Sequence, residues 1–110
     1  MILHRIAPAL VLSLTLSLSG GTAMAADLIH KISPHSVSVT IDRLAAAVEG
    51  AGAKVFARVD HAAGAESVGE ELRPTQMLMF GNPKLGSPAM QAAQTSGLDL
   101  PLRVLASADA

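Results

Sequence analysis

One stretch of the sequence places several titratable side chains within a short distance along the chain. Asp60 and His61 are adjacent, and four more charged residues follow: Glu66, Glu70, Glu71 and Arg73. A histidine oriented by a carboxylate is a candidate general base or metal ligand. We favour a structural alternative, in which Asp60 ends a strand and caps the following turn while His61 bonds to the backbone. We therefore predict no catalytic residue, and keep His61 and Arg73 as candidate ligand-binding residues.

A second candidate site lies at residues 82–87 (NPKLGS), where a strand is expected to lead into a helix. Free backbone N–H groups at a helix N-terminus bind small anions, and Lys84 would supply a countercharge. The stretch lacks the glycine spacing of a phosphate-binding Walker loop. We favour a turn that owes its shape to Asn82 and its neighbours, with Ser87 capping the helix. Asn82, Lys84 and Ser87 nevertheless join His61 and Arg73 as candidate residues for a small anionic ligand.

Three histidines and two methionines indicate a further option, periplasmic copper handling, through His30, His35, His61, Met77 and Met79. The two methionines are two residues apart in an expected strand and so share one face, and thioethers suit Cu(I). We favour methionine as filler of a core that is poor in aromatic residues. We predict no metal and no cofactor. The chain has no cysteine, and no serine lies in a nucleophile-elbow sequence.

The first 25 residues are typical of a cleavable secretory signal. Arg5 lies in a short basic segment, residues 6–18 are uncharged and largely apolar, and small residues precede Ala26. A retained membrane anchor is the alternative, but a spanning helix needs about 20 apolar residues. We expect cleavage before Ala26 or Asp27, export to the periplasm or medium, no membrane association afterwards, and a single domain over residues 26–110.

Composition limits the partners and the stability of that domain. The chain has a formal net charge of −1, and loss of Arg5 would leave seven basic against nine acidic residues. This weakly acidic balance lacks the basic surface that nucleic-acid binding requires, so we expect no nucleic-acid partner. Without cysteines the fold depends on packing alone, and Phe56 and Phe80 are its only aromatic residues. Such a small aliphatic core would gain from dimerisation.

The hydrophobic periodicity predicts the element order β-α-β-β-α-β. The predicted strands cover residues 27–33, 53–60, 75–81 and 101–107. One helix starts after the capping residue Ser36 and ends near Gly50 and Gly52, and residues 61–69 form a helical turn or ordered loop. A second helix starts at Ser87-Pro88 and runs to about Thr95.

Strand alternation divides the sheet into two faces. The face that we expect to carry the helices holds seven residues: Val55, Ala57, Val59, Met77, Met79, Leu102 and Val104. The opposite face holds Phe56, Arg58, Leu78, Phe80, Arg103 and Leu105. Because this second face is half apolar, it needs a cover, and we favour a homodimer interface formed by Phe56, Arg58, Leu78, Phe80 and Arg103 over an anion site at the arginines.

Several segments together resemble the domain of unknown function 302 family. They are SPHS at residues 33–36, DRL at 42–44, FARVDHAAGA at 56–65, ELRPT at 71–75, FGNPKLGSPAM at 80–90 and DLPL at 99–102. The resemblance implies an α+β domain with a mainly antiparallel sheet and helices on one face, similar to the TATA-binding-protein-like architecture, often exported and dimeric, with no established activity. Family domains usually continue with another strand and helix. We therefore expect either a truncated product or an open sheet edge beside residues 101–107.

Three functions remain open at this point. The favoured one is an exported interaction module that dimerises through its sheet face. The others are a small-molecule enzyme or sensor that uses His61, Arg73, Asn82 and Lys84, and metal handling.

Overall fold

The structure is a computed structural model that describes residues 27–110. Residues 31–110 form one unit, and residues 27–30 belong to a separate one. The elements of the larger unit are α1 (Val37–Gly50), β1 (Lys54–Asp60), α2 (His61–Ser67), β2 (Thr75–Gly81), α3 (Pro83–Ala92), a 3₁₀ helix (Gln94–Leu98) and β3 (Leu102–Ser107). The strands form one antiparallel sheet in the order β1-β2-β3. The predicted α+β class with an antiparallel sheet is confirmed.

The strand predicted at residues 27–33 is wrong, because these residues carry no regular secondary structure. The alternation of apolar residues suggested a half-buried strand, yet the side chain of Ile32 is fully exposed. A strand exists only where a neighbouring strand completes its hydrogen bonds, and alternation along the chain does not identify that neighbour.

Helix α1 forms as predicted because local signals mark both of its ends. The hydroxyl of Ser36 accepts the N–H of Val39 at 3.2 Å, as an N-cap does. The chain leaves the helix through Gly52, whose φ of +86° is in the left-handed region that favours glycine. The helix packs against all three strands. Val37, Ile41 and Leu78 are the buried apolar side chains of the described residues, so the core lies between α1 and the middle of β2.

Helix α3 begins earlier than predicted. Its N-cap is Asn82, whose side-chain oxygen accepts the N–H of Lys84 at 3.0 Å, and Pro83 occupies the first helical position. Asn82-Pro83 and Ser87-Pro88 both match the cap-proline signature of a helix start, and the prediction of a start at Ser87-Pro88 is wrong. Ser87 is therefore not a cap, and Pro88 lies inside the helix. The helix ends at Ala92 rather than near Thr95, and the 3₁₀ helix follows.

The predicted division of the sheet faces is also wrong. Leu78 pairs with Arg58 on one side and with Val104 on the other, so these three residues share a face. That face lies under α1, because Leu78 is fully buried and Arg58 bonds to Asp42 of the helix. Sequence alternation does not tell which face receives a helix. In addition, an irregularity between Val55 and Ala57 interrupts the alternation of β1.

Candidate functional site

His61 and Arg73 lie at one end of the sheet. His61 is the exposed first residue of α2, and Asp60 is the N-cap of that helix, with a carboxylate oxygen 3.0 Å from the N–H of Ala63. This confirms the capping interpretation of Asp60. Arg73 is exposed in the segment before β2, and its carbonyl accepts the hydroxyl of Thr75 at 2.9 Å.

Asn82, Lys84 and Ser87 lie at the opposite end of the sheet. Asn82 follows β2 directly and caps α3. Lys84 and Ser87 are exposed residues of the helix itself rather than of a loop before it. An anion site was predicted in front of the helix, but Lys84 and Ser87 lie in its first turns.

The five candidate ligand-binding residues therefore do not form one site. His61 follows Asp60, which pairs with Gln76, whereas Asn82 follows Gly81, which pairs with Lys54 at the far end of β1. Six residue steps along a strand separate the two ends, or roughly 20 Å. Within residues 27–110, no group of three His, Cys, Asp or Glu side chains is arranged to hold a metal ion.

Arg58 and Leu78, two of the proposed interface residues, lie beneath α1. The guanidinium of Arg58 bonds to the carboxylate of Asp42 at 2.5 Å and to the side-chain oxygen of Gln76 at 2.9 Å. Leu78 is fully buried. These two side chains thus attach the helix to the sheet and are not available as the sheet surface that the sequence analysis assigned to a partner.

The other three proposed interface residues lie in different parts of the sheet. Phe80 pairs with Val55 and Leu102. Arg103 pairs with Met79, so it lies on the face away from α1. Phe56 is half exposed, and its ring lies under the ammonium group of Lys54, 5.6 Å from the ring centre. The five residues do not share one surface.

A cavity of about 410 Å³ lies between α3 and the adjoining end of the sheet. Asn82 and Ser87 contribute to its wall together with apolar residues that include Phe56, Met90 and Leu100. It exists because α3 packs mainly on the 3₁₀ helix and only weakly on the strands. Of these wall residues, only Asn82 and Ser87 were predicted to bind a ligand, whereas Phe56 was predicted to lie in a dimer interface. A predicted helix start at Asn82-Pro83, as the structure has it, would have grouped the cavity-lining residues of α3 on one helix.

The sequence of the folded unit identifies its family. The family model described as "Domain of unknown function DUF302" matches residues 29–110. The chain belongs to the DUF302 family. The DUF302 match covers both ends of the sheet and the cavity, and its description assigns no activity.

Curated relatives of this DUF302 chain carry a channel name. "Fluoride-specific ion channel FluC 1" of Brucella suis biovar 1 is 52% identical over 77 residues, which are 70% of this chain and 30% of that protein. "Fluoride-specific ion channel FluC 2" of Brucella melitensis biotype 1 has the same identity over 77 residues, 28% of its length. The chain thus spans less than a third of the relatives' length. None of the helices described in residues 27–110 is both long and apolar enough to cross a membrane.

A solved structure has the same fold. The uncharacterized conserved protein DUF302 from Bacillus stearothermophilus superimposes with a TM-score of 0.63 at 18% identity, over 68% of this chain and 59% of that one. At this identity the likeness concerns the fold alone.

Proposed function

We propose that this chain is an exported interaction module that self-associates through the free edge of β3. The observation that carries the proposal is that β3 pairs with β2 on one side and, among residues 27–110, has no strand on the other. Three of its six residues are large, apolar and exposed: Leu102 at 55%, Val104 at 37% and Leu105 at 58%. A regular edge strand with exposed apolar residues is a template for pairing with another strand. This edge replaces the sheet face as the proposed dimer contact.

The hydrogen-bond pattern identifies the free groups of that edge. The N–H of Ala108 donates to the carbonyl of Pro74 at 2.9 Å, so the backbone of residue 108 points toward β2. Backbone groups alternate in direction along an antiparallel ladder. Arg103, Leu105 and Ser107 therefore direct their N–H and C=O groups away from the sheet, where a second strand could accept and donate.

In the preferred register of two antiparallel β3 strands, Leu105 lies opposite Leu105 of the second copy. Arg103 then faces Ser107 of the second copy, and three residue pairs exchange backbone hydrogen bonds. A pairing centred on Val104 instead of Leu105 would place Pro101 opposite Ser107 of the second copy. Proline has no N–H to donate, so this register loses hydrogen bonds. In the preferred register, Arg103 also lies diagonal to Asp109 of the second copy, within reach of a long side chain.

The edge formed by β1 is less suited to pairing. Its register is irregular between Val55 and Ala57, and it carries the exposed charged residues Lys54 and Asp60. Bulges and charges are features by which proteins protect an edge from association. The pairing of β3 with β2 is regular along its full length. The asymmetry of the two edges supports a dimer rather than an open polymer.

The relatives carry a similar segment as part of a longer chain, since the matched region makes up about 30% of the length of FluC 1 of Brucella suis. The channel name describes the whole of that relative.

Sedimentation equilibrium of the purified chain tests the dimer. The contact is one strand long, small against a standard interface, so we expect a dimer that dissociates on dilution. Leu105→Lys would place two lysines opposite each other and remove two Leu side chains that are 58% exposed in the single chain. Burying that surface is worth about 2–3 kcal/mol in total, so the Kd should rise roughly 30- to 150-fold. A chain that stays monomeric at millimolar concentration would refute the proposal.

Leu98→Lys is the matched control, because Leu98 is 86% exposed and lies in the 3₁₀ helix away from the edge of β3. Its Kd should equal that of the parent chain. Equal weakening by both substitutions would mean that general surface hydrophobicity, not edge pairing, drives association.

Export is tested separately by the intact mass of the protein recovered from the periplasm of a producing cell. We expect a chain that starts at Ala26 or Asp27, as the small residues before Ala26 indicate. A chain that keeps Met1 and stays in the cytoplasm would contradict export and leave the dimer proposal standing.

A further inference from the structure

The cavity between α3 and the sheet has the size and lining of a small-molecule site. Its volume of about 410 Å³ lies within the usual range for ligand pockets, roughly 300–1,000 Å³. The wall is mostly apolar and includes Phe56, Leu85, Met90, Leu100 and Leu102. Pockets of this kind bury an apolar ligand body and use a few polar groups to orient it.

Polar groups are present at defined positions of this wall. Asn82 and Ser87 lie in it, one at the N-cap of α3 and the other on the helix. Asn82 uses its side-chain oxygen for the cap, so its amide nitrogen can still donate a hydrogen bond. Ser87 offers a hydroxyl, which both donates and accepts. A ligand with a single polar end would satisfy these groups.

Charge near the cavity favours an anionic end. The ammonium group of Lys54 stands 5.6 Å from the centre of the Phe56 ring, which forms part of the wall. Lys54 also pairs with Gly81, another residue of the wall. Its positive charge therefore lies beside the cavity and favours a ligand with an anionic end.

We propose that this cavity binds a small organic anion, a carboxylate that carries an apolar ring or short chain. The ring or chain lies against Phe56, Met90 and Leu100, and the carboxylate is directed toward Lys54. This site shares Asn82 and Ser87 with the anion site predicted from the sequence, but it depends on an apolar wall and includes neither His61 nor Arg73.

Methionine methyl NMR tests the site with 2-naphthoate as the probe. Met90 lines the cavity, whereas Met77 and Met79 lie in β2 outside its wall and serve as internal references. We expect the Met90 methyl signal to shift in a saturable way while the Met77 and Met79 signals stay in place. No shift of Met90 at millimolar probe, or equal shifts of all three, would overturn the proposal.

Gly86→Leu should close the cavity. A Cβ at Gly86 would lie 3.5 Å from Cδ1 of Leu100 and 3.8 Å from Cε of Met90, so a larger side chain enters the space. Leucine is also the better helix former. We expect naphthoate binding to weaken by at least about tenfold. Gly86→Ala adds only the Cβ and should weaken it less. Retained signals of Met77 and Met79 show that each variant is folded.

Gly64→Leu is the matched control, because Gly64 is also a helical glycine and a Cβ there meets no atom within 4 Å. It should bind naphthoate as the parent does, and Gly86→Leu binding equally well would overturn the site. Lys54→Gln tests the charge. It should weaken binding of 2-naphthoate and leave that of the neutral 2-naphthalenemethanol unchanged, and an equal effect on both would overturn the preference for an anion.

Discussion

Replacing Ile41 with alanine should remove a large part of the stability of the domain. Ile41 is 0% exposed and belongs to α1, the helix that covers Leu78, which is also 0% exposed. Truncation of a buried isoleucine to alanine costs about 2–5 kcal/mol, since it loses apolar contact and leaves a cavity. A domain of this size has a total stability of about 4–12 kcal/mol. The variant should therefore keep only part of that stability.

Urea denaturation followed by circular dichroism measures this loss. Because the proposed association would stabilise the folded state, the two variants are compared in the Leu105→Lys background or at low protein concentration. Val39→Ala is the matched control, because Val39 lies on the same helix and is 39% exposed. It should cost less than about 1 kcal/mol. Equal, small losses for Ile41→Ala and Val39→Ala would refute the placement of the core between α1 and β2.

Four further substitutions test local features by the same denaturation assay. Ser36→Ala removes the N-cap of α1 and should cost about 1 kcal/mol; an unchanged midpoint would contradict the cap. Gly52→Ala should destabilise the domain by about 1 kcal/mol, because φ of Gly52 is +86°. Gly64→Ala in α2 should be neutral or stabilising. The reverse order of the two stabilities would argue against these backbone assignments. Asp42→Asn should cost less than about 1 kcal/mol of stability, since the side chains of Arg58 and Asp42 are 35% and 60% exposed. A loss above about 2 kcal/mol would show that this ion pair attaches α1 more strongly.

The elements that the sequence predicted well are those with local signals. Helix α1 has a capping serine, apolar residues at helical spacing and a terminal glycine, and each of these acts within a few residues. The limits of β2, Thr75–Gly81, agree with the prediction, because a short apolar run is bounded there by polar and turn residues.

The errors concern properties that depend on residues far apart in the sequence. A strand at residues 27–33 needed a pairing partner, and alternation of residue types does not supply one. The assignment of Leu78 and Arg58 to a partner surface failed because only packing decides which face α1 covers. The start of α3 required a choice between two equivalent cap-proline pairs. The cavity depends on the gap between α3 and the strands, a tertiary property with no local signature.

Hydrogen exchange of individual backbone amides directly tests the proposed edge pairing through β3. The outward amides of Arg103, Leu105 and Ser107 have no acceptor on the sheet side, while the amide of Val104 points toward β2 and is an internal reference. We expect the three outward amides to exchange fast in dilute protein and slowly in concentrated protein, and the amide of Val104 to be protected in both. Fast exchange of the three amides at every concentration would contradict self-association through this edge.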